Sequence, residues 1–179
     1  MNKDVEKILV TEEELHEIAK KLGKKITDDY KGKKLLIVGV LKGSIYFFTD
    51  LSRYIDLPCN IDFIQASSYG ASTVSSGNIK ITKDISQDLT GFDVLLVEDI
   101  LDTGKTLKYI HDMLSKRNPE SIAVVTLLDK PARRTADIEA DYVGVDVPNE
   151  FVVGYGLDYN QFYRNLPYIA VLKREIYEN

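Results

Sequence analysis

The sequence predicts an α/β fold: a central, mainly parallel sheet flanked by helices, with a small hood or cap built from the chain ends. Three observations lead there. Short apolar runs, Leu35 to Leu41, Val94 to Val97 and Ile122 to Leu128, are rich in branched residues and do not alternate, as expected of strands covered on both faces. Helix-like segments, Ser44 to Ile55 and Thr103 to Arg117, lie between them, the second closed by Asn118-Pro119. Strand, helix, strand in sequence requires crossover connections, and therefore parallel neighbours.

The remaining elements follow in order. Thr11 and Glu14 form a Thr-x-x-Glu capping box ahead of Leu15, Ile18, Ala19 and Leu22 at helical spacing, so Thr11 to Lys25 is an amphipathic surface helix. Ser67 to Asn78 is almost entirely Ser, Gly, Thr and Ala between the strand-like IDFIQA and IKIT, and a lid over about residues 67–80 is expected there. Val147 to Tyr168, with Tyr155, Tyr159, Phe162 and Tyr163 around Gly154 and Gly156, reads as a cap over one sheet edge.

With 179 residues and no linker or repeat, the chain is expected to form a single domain over residues 1–179. It is 44% hydrophobic and 28% charged, which excludes a disordered protein, and no apolar run approaches the ~18 residues of a membrane span. The acidic N-terminus lacks the apolar stretch of a secretory signal, and the one cysteine, Cys59, can form no internal disulfide; a cytoplasmic location is expected. A net charge of -5 argues against nucleic acid or anionic lipid as partner, so any anionic ligand must be met locally.

VLLVEDILDTGKTL, Val94 to Leu107, carries the chemistry. An apolar strand runs into Glu98, Asp99 and Asp102, then into Thr103-Gly104-Lys105-Thr106, where a helix begins. Ligands of open parallel sheets bind beyond the carboxyl ends of strands, and this is such a place. The free N–H groups and positive dipole end of the helix suit a phosphate; the carboxylates suit a divalent cation or sugar hydroxyls. A phosphorylated sugar carrying a metal-bound polyphosphate satisfies both. Gly104-Lys105-Thr106 is no P-loop, because position 99 is Asp where that motif needs Gly, and no dinucleotide-binding G-x-G-x-x-G follows a strand. An isolated Asp-x-x-Asp-Thr-Gly is ordinarily a solvated turn with Asp102 as helix cap, but three acids directly after four apolar residues argue against that here.

VLLVEDILDTGKTL closely resembles the phosphoribosyl pyrophosphate motif of type I phosphoribosyltransferases, and further similarities narrow the resemblance to the hypoxanthine-guanine group, of bacterial type by size. Leu41-Lys42-Gly43 resembles that family's pyrophosphate loop, where the Leu41-Lys42 peptide is often cis; Ser68-Tyr69-Gly70 resembles the start of its lid. Asp129-Lys130 resembles the position of the purine-reading lysine, and Phe151 to Tyr159, followed by Arg164, resembles the base-stacking and metal-side segment. The resemblance spans about residues 35 to 165. It implies a Mg²⁺-dependent purine salvage transferase that makes IMP or GMP and pyrophosphate from hypoxanthine or guanine and 5-phosphoribosyl 1-pyrophosphate.

The residue roles are likewise implied by the resemblance. Asp102 is the base at purine N7; Thr103, Gly104, Lys105 and Thr106 hold the 5′-phosphate; Leu41, Lys42, Gly43 and Arg164 hold pyrophosphate. Lys130 reads O6, Phe151 stacks on the base, Val152 offers it backbone groups, and Ser68 and Tyr69 close over the site. Glu98 and Asp99 serve the ribose hydroxyls and, with Asp158, the metal. Adjacent strand residues point to opposite faces, so the strand is expected to have turned before Glu98 for both acids to reach. The expected partners are phosphoribosyl pyrophosphate, a 6-oxopurine and further copies of the chain, as a homodimer or homotetramer. A xanthine- or pyrimidine-specific enzyme and a regulatory RNA-binding relative are the alternatives.

Overall fold

A computed structural model describes residues 2–68 and 79–178. The chain runs β1 (Val5–Val10), α1 (Glu12–Asp29), β2 (Leu35–Leu41), α2 (Ile45–Tyr54), β3 (Cys59–Ser68), β4 (Ile79–Lys83), β5 (Asp93–Leu101), α3 (Lys105–Ser115), β6 (Ser121–Asp129), β7 (Tyr142–Asp146), β8 (Val152–Val153), β9 (Ile169–Leu172) and α4 (Arg174–Tyr177). The main sheet has the order β4-β3-β2-β5-β6-β7, parallel except for β4.

Alternation along the central strands places the helices. Leu35 and Ile37 of β2 and Leu95 and Val97 of β5 pack with Leu15, Leu22 and Ile26 of α1 and Phe47, Phe48 and Leu51 of α2. Leu36, Val38, Val94 and Leu96 pack with Leu107, Ile110 and Leu114 of α3. The strands read as unbroken apolar runs because both their faces are covered, and each fully buried side chain of this kind contributes about 1.5–3 kcal/mol. From β2 the chain crosses to β3 on one side, and from β5 it crosses to β6 on the other, so the crevice at the carboxyl ends of β2 and β5 is the topological switch point.

The capping box forms as expected: Glu14 N–H donates to Thr11 Oγ1 (3.3 Å) and Thr11 N–H to Glu14 Oε2 (2.8 Å). The helix it opens runs to Asp29, beyond the expected Lys25. Thr11→Ala removes the Oγ1 acceptor of the Glu14 N–H, while the residue 11 N–H is retained, and is expected to cost about 1 kcal/mol, read as a Tm lower by roughly 2–4 °C with unchanged activity.

The hood is a second sheet, β1-β9-β8, all antiparallel, with Val5 opposite Leu172 and Val152 opposite Val171. The two chain ends thus meet, and Lys173 N–H donates to Asp4 O at 3.0 Å. Ser68 is the last residue of β3; Tyr69 and the rest of the expected lid through Asn78 lie outside the described residues. Among the described residues no helix is long and apolar enough to cross a membrane.

Candidate active site

β5 carries its pattern into the crevice. Glu98 keeps the parity of Val94 and Leu96 and lines a cavity with Thr103, Gly104, Lys105 and Thr106 on the α3 side. Asp99 keeps the parity of Leu95 and Val97, and its carboxylate lies so close to Gly43 that a Cβ there would collide with it. The chain therefore does not turn before Glu98, contrary to expectation. The ladder to β6 pairs Glu98 with Thr126 and Ile100 with Leu128 but skips Asp99, whose Oδ1 accepts the Ile100 N–H at 3.0 Å. Beyond Asp99 the alternation of faces breaks, with Ile100 packed on the α1/α2 face and Leu101 on the α3 face. The two carboxylates accordingly serve different neighbours.

Burial pushes Glu98 well above the usual carboxylate range, with Asp99 adding repulsion. Asp99 is pushed up to about 6, first by burial, and opposed by its backbone hydrogen bonds and Arg164. A carboxylate raised on folding binds more protons in the native state, so its ionisation costs stability as pH rises from its unfolded value near 4 through 6. Asp99→Asn is therefore expected to gain in Tm relative to the parent as pH is raised from 4 to 7 in a thermal-melt series.

At the strand-to-helix junction Gly104, not Asp102, occupies the N-cap of α3, with φ 79° and no side-chain cap, which leaves the first-turn N–H groups without one. A Cβ at Gly104 would lie 2.8 Å from Ile138 Cγ2 and 3.0 Å from Arg134 Cδ. Arg134 supports the junction from beneath: Nε donates to Asp102 O (3.1 Å), Nη2 to Leu101 O (3.1 Å) and Nη1 to Ile138 O (2.9 Å), and the guanidinium pairs with Asp129. Asp102 itself faces Arg133, whose Nε lies 2.8 Å from Oδ1.

The end of β2 faces the returning hood. Leu41-Lys42 is a cis peptide. Gly156, at φ 105°, packs its Cα against the Gly43 carbonyl, where no side chain fits. Arg164 donates to Gly156 O (2.6 Å) and pairs with Asp158 Oδ1 (2.7 Å), while Asp158 Oδ2 accepts the Gln161 N–H (2.8 Å). Gln161 Oε1 accepts from both Lys42 Nζ and Arg164 Nη2 at 3.3 Å, and so joins the two cations expected here.

Across the crevice a cavity of about 480 Å³ is lined by Ile100, Asp102, Lys130, Arg133, Phe151 and Val152, among others. Lys130, 7% exposed, is no ordinary surface lysine: Nζ donates to Glu150 O at 2.6 Å, and burial lowers its pKa. Phe151, at 37% exposed, is no core residue. The Leu172 N–H donates to Phe151 O, so the next pair, Val152 with Val171, is a non-hydrogen-bonded one. The N–H and C=O of Val152 then point away from β9, on the free edge of the hood sheet.

The fold thus brings Asp102, Lys130, Phe151 and Val152 to one cavity, Glu98 and Thr103 to Thr106 to a second, and Lys42, Asp158 and Arg164 into one network. Sequence reasoning missed Arg133, Arg134 and Gln161. The Ala-Arg-Arg after Lys130-Pro131 and the amides after Asp158 were the available signals.

An uncapped helix start and a cavity flank one acidic strand end at the switch point of a parallel sheet, and the model of the phosphoribosyl transferase domain matches residues 4–160. The chain belongs to the phosphoribosyl transferase family. It is 53% identical over the full length of both chains to a hypoxanthine-guanine phosphoribosyltransferase of Staphylococcus aureus (strain Mu50). A crystal structure of a hypoxanthine phosphoribosyltransferase from Staphylococcus aureus superposes with a TM-score of 0.96 at 53% identity, covering 100% of this chain and 97% of that one. The bifunctional protein TilS/HprT of Listeria monocytogenes (serotype 4b, strain F2365) is 54% identical over 177 residues, 99% of this chain, and there the chain spans only 27% of the relative's length.

Proposed function

We propose that the chain is a hypoxanthine-guanine phosphoribosyltransferase: it joins hypoxanthine or guanine to 5-phosphoribosyl 1-pyrophosphate, giving IMP or GMP and pyrophosphate. The observation that carries this reading is the meeting of Asp102, Lys130, Phe151 and Val152 around one cavity beside the Thr103 to Thr106 cradle.

The reaction displaces pyrophosphate from a sugar carbon, so positive charge grows on the ribose while negative charge grows on the leaving group. The uncapped first turn of α3 and the hydroxyls of Thr103 and Thr106 bind the 5′-phosphate, whose anchoring fixes the ribose above β5. Glu98 Oε2, buried and without a hydrogen-bond partner among the described residues, takes ribose hydroxyls. Lys42 and Arg164 bind pyrophosphate together with the backbone of Leu41 and Gly43; Arg supplies a planar fork and Lys a point charge. Asp102 accepts the proton from purine N7, with Arg133 steering its carboxylate. Phe151 stacks on the base, Val152 meets its edge with backbone groups, and Lys130 donates to O6. An amino group at that position offers only donors and leaves the base-facing N–H of the buried ammonium without an acceptor.

The residues present fit Mg²⁺ that arrives with substrate. Among the described residues no group of three or more His, Cys, Asp or Glu side chains could hold an ion unaided. Mg²⁺ needs only one or two carboxylates when substrate oxygens and water complete its shell, and Asp99 and Asp158, close enough to repel each other, supply them. When bound, the ion neutralises charge on the leaving pyrophosphate. Glu98, on the α3 side, is left to the sugar.

The direct test is to incubate the protein with phosphoribosyl pyrophosphate, Mg²⁺ and each base and to separate the products. IMP and GMP are expected, with no AMP; absence of product from every 6-oxopurine contradicts the proposal. Lys130→Met is expected to lower kcat/KM for hypoxanthine about 10- to 100-fold, the worth of a charged hydrogen bond, while KM for phosphoribosyl pyrophosphate stays within about twofold.

A further inference from the structure

The last turn of the chain reaches the candidate base cavity. Tyr177, on α4, lines it together with Lys130, Asp102 and Phe151. Its ring stacks on that of Phe151, with centroids 4.7 Å apart and planes at 22°. The Tyr159 ring lies nearly perpendicular to that of Phe151, at 5.7 Å and 88°. The turn bearing Tyr177 is fastened to the hood: Ile176 and Tyr177 pack on the cluster of Val153, Leu166 and Leu172, and Lys173 Nζ donates to Lys3 O at 2.7 Å.

An aromatic ring has two stacking faces. One face of Phe151 is taken by Tyr177 and Tyr159 crosses it at right angles, yet the ring is 37% exposed and lines the cavity, where a planar ligand can stack on it. The geometry points to Tyr177 as a positioning residue of the purine site, which clamps the Phe151 ring from the hood so that its exposed part is presented, already oriented, to a 6-oxopurine. A free phenyl ring would lose rotational freedom on binding the base; a ring held between Tyr177 and Tyr159 has lost it beforehand, and affinity for the base rises accordingly. The inference rests on the reading that the base stacks on Phe151.

Steady-state kinetics of Tyr177→Ala, Tyr177→Leu, Tyr177→Phe and Phe151→Ala separate the two. Tyr177→Ala is expected to raise KM for hypoxanthine about three- to tenfold, the worth of one aromatic pair, with kcat and KM for phosphoribosyl pyrophosphate within about twofold of the parent. Tyr177→Leu keeps apolar packing in the hood but no ring, and is expected to match Tyr177→Ala in KM at near-parent Tm. Tyr177→Phe is expected to restore the parent KM. An unchanged or lowered hypoxanthine KM in Tyr177→Ala overturns the inference, as does a parallel rise in both substrates' KM values. If Phe151→Ala leaves hypoxanthine KM unchanged, the stacking assignment itself fails, whatever the Tyr177 variants do.

Discussion

Asp102→Asn is expected to lower kcat about 10²- to 10³-fold, within the range that a positioned proton acceptor supplies, while KM for phosphoribosyl pyrophosphate stays within about twofold. The carboxylate lines the cavity of Lys130 and Phe151, whereas the phosphate contacts proposed above belong to the first turn of α3, which starts beyond it at Lys105. The amide is isosteric and donates or accepts hydrogen bonds, but it cannot take the N7 proton. It also loses the charge that faces Arg133 Nε at 2.8 Å. Pre-steady-state kinetics check the result, since the slowed step must be chemistry and not product release. An equal loss in phosphoribosyl pyrophosphate affinity would assign Asp102 to the sugar phosphate instead.

Arg134→Met is expected to be the most destabilising single change at the site. The arginine and Asp129 are each 15% exposed, and the guanidinium serves three carbonyls, those of Leu101, Asp102 and Ile138. Replacing it leaves a mostly buried carboxylate without its partner and three acceptors without their donor, at a cost of about 3 kcal/mol or more. For a chain of this length that corresponds to a Tm lower by roughly 6–12 °C. Because Leu101 and Asp102 immediately precede the phosphate cradle, KM for phosphoribosyl pyrophosphate should rise as well. Adding Asp129→Leu, which removes the stranded charge, is expected to recover part of the Tm but not the KM, because the carbonyls above the lost guanidinium stay unsupported.

The sequence made some features legible and hid others for definite reasons. β2, β5 and β6 were visible because strands covered on both faces must be apolar at every position, and Leu35 to Leu41 matches the observed strand at both ends. β1 and β9 were not: they are short, β1 is polar at several positions, and they become strands only because residues more than 160 apart pair, Val5 with Leu172. The junction of β5 and α3 was legible as chemistry because carboxylates and a Gly-Thr-rich turn are unusual directly after an apolar strand. Its fine geometry was not. The assumption that β5 turns before Glu98 treated the two acids as sharing one task, whereas strand parity continues through both and assigns Glu98 to the α3 side and Asp99 to Gly43. Residues that act by supporting others were invisible for the same reason. Arg134 and Gln161 touch carbonyls and side chains far away in sequence, and nothing in their own neighbourhood announces those partners.

The central claim is that one acidic strand end joins two sites, a phosphate cradle on the α3 side and a base cavity under the hood. The measurement that tests it most directly is a crystal structure with GMP bound. The account predicts the 5′-phosphate on the N–H groups of residues 103–106, the guanine ring on Phe151 with O6 at Lys130 Nζ, and Asp102 within hydrogen-bond reach of N7. A nucleotide whose base lies outside the cavity of Lys130 and Phe151, or whose phosphate sits away from the first turn of α3, would contradict it.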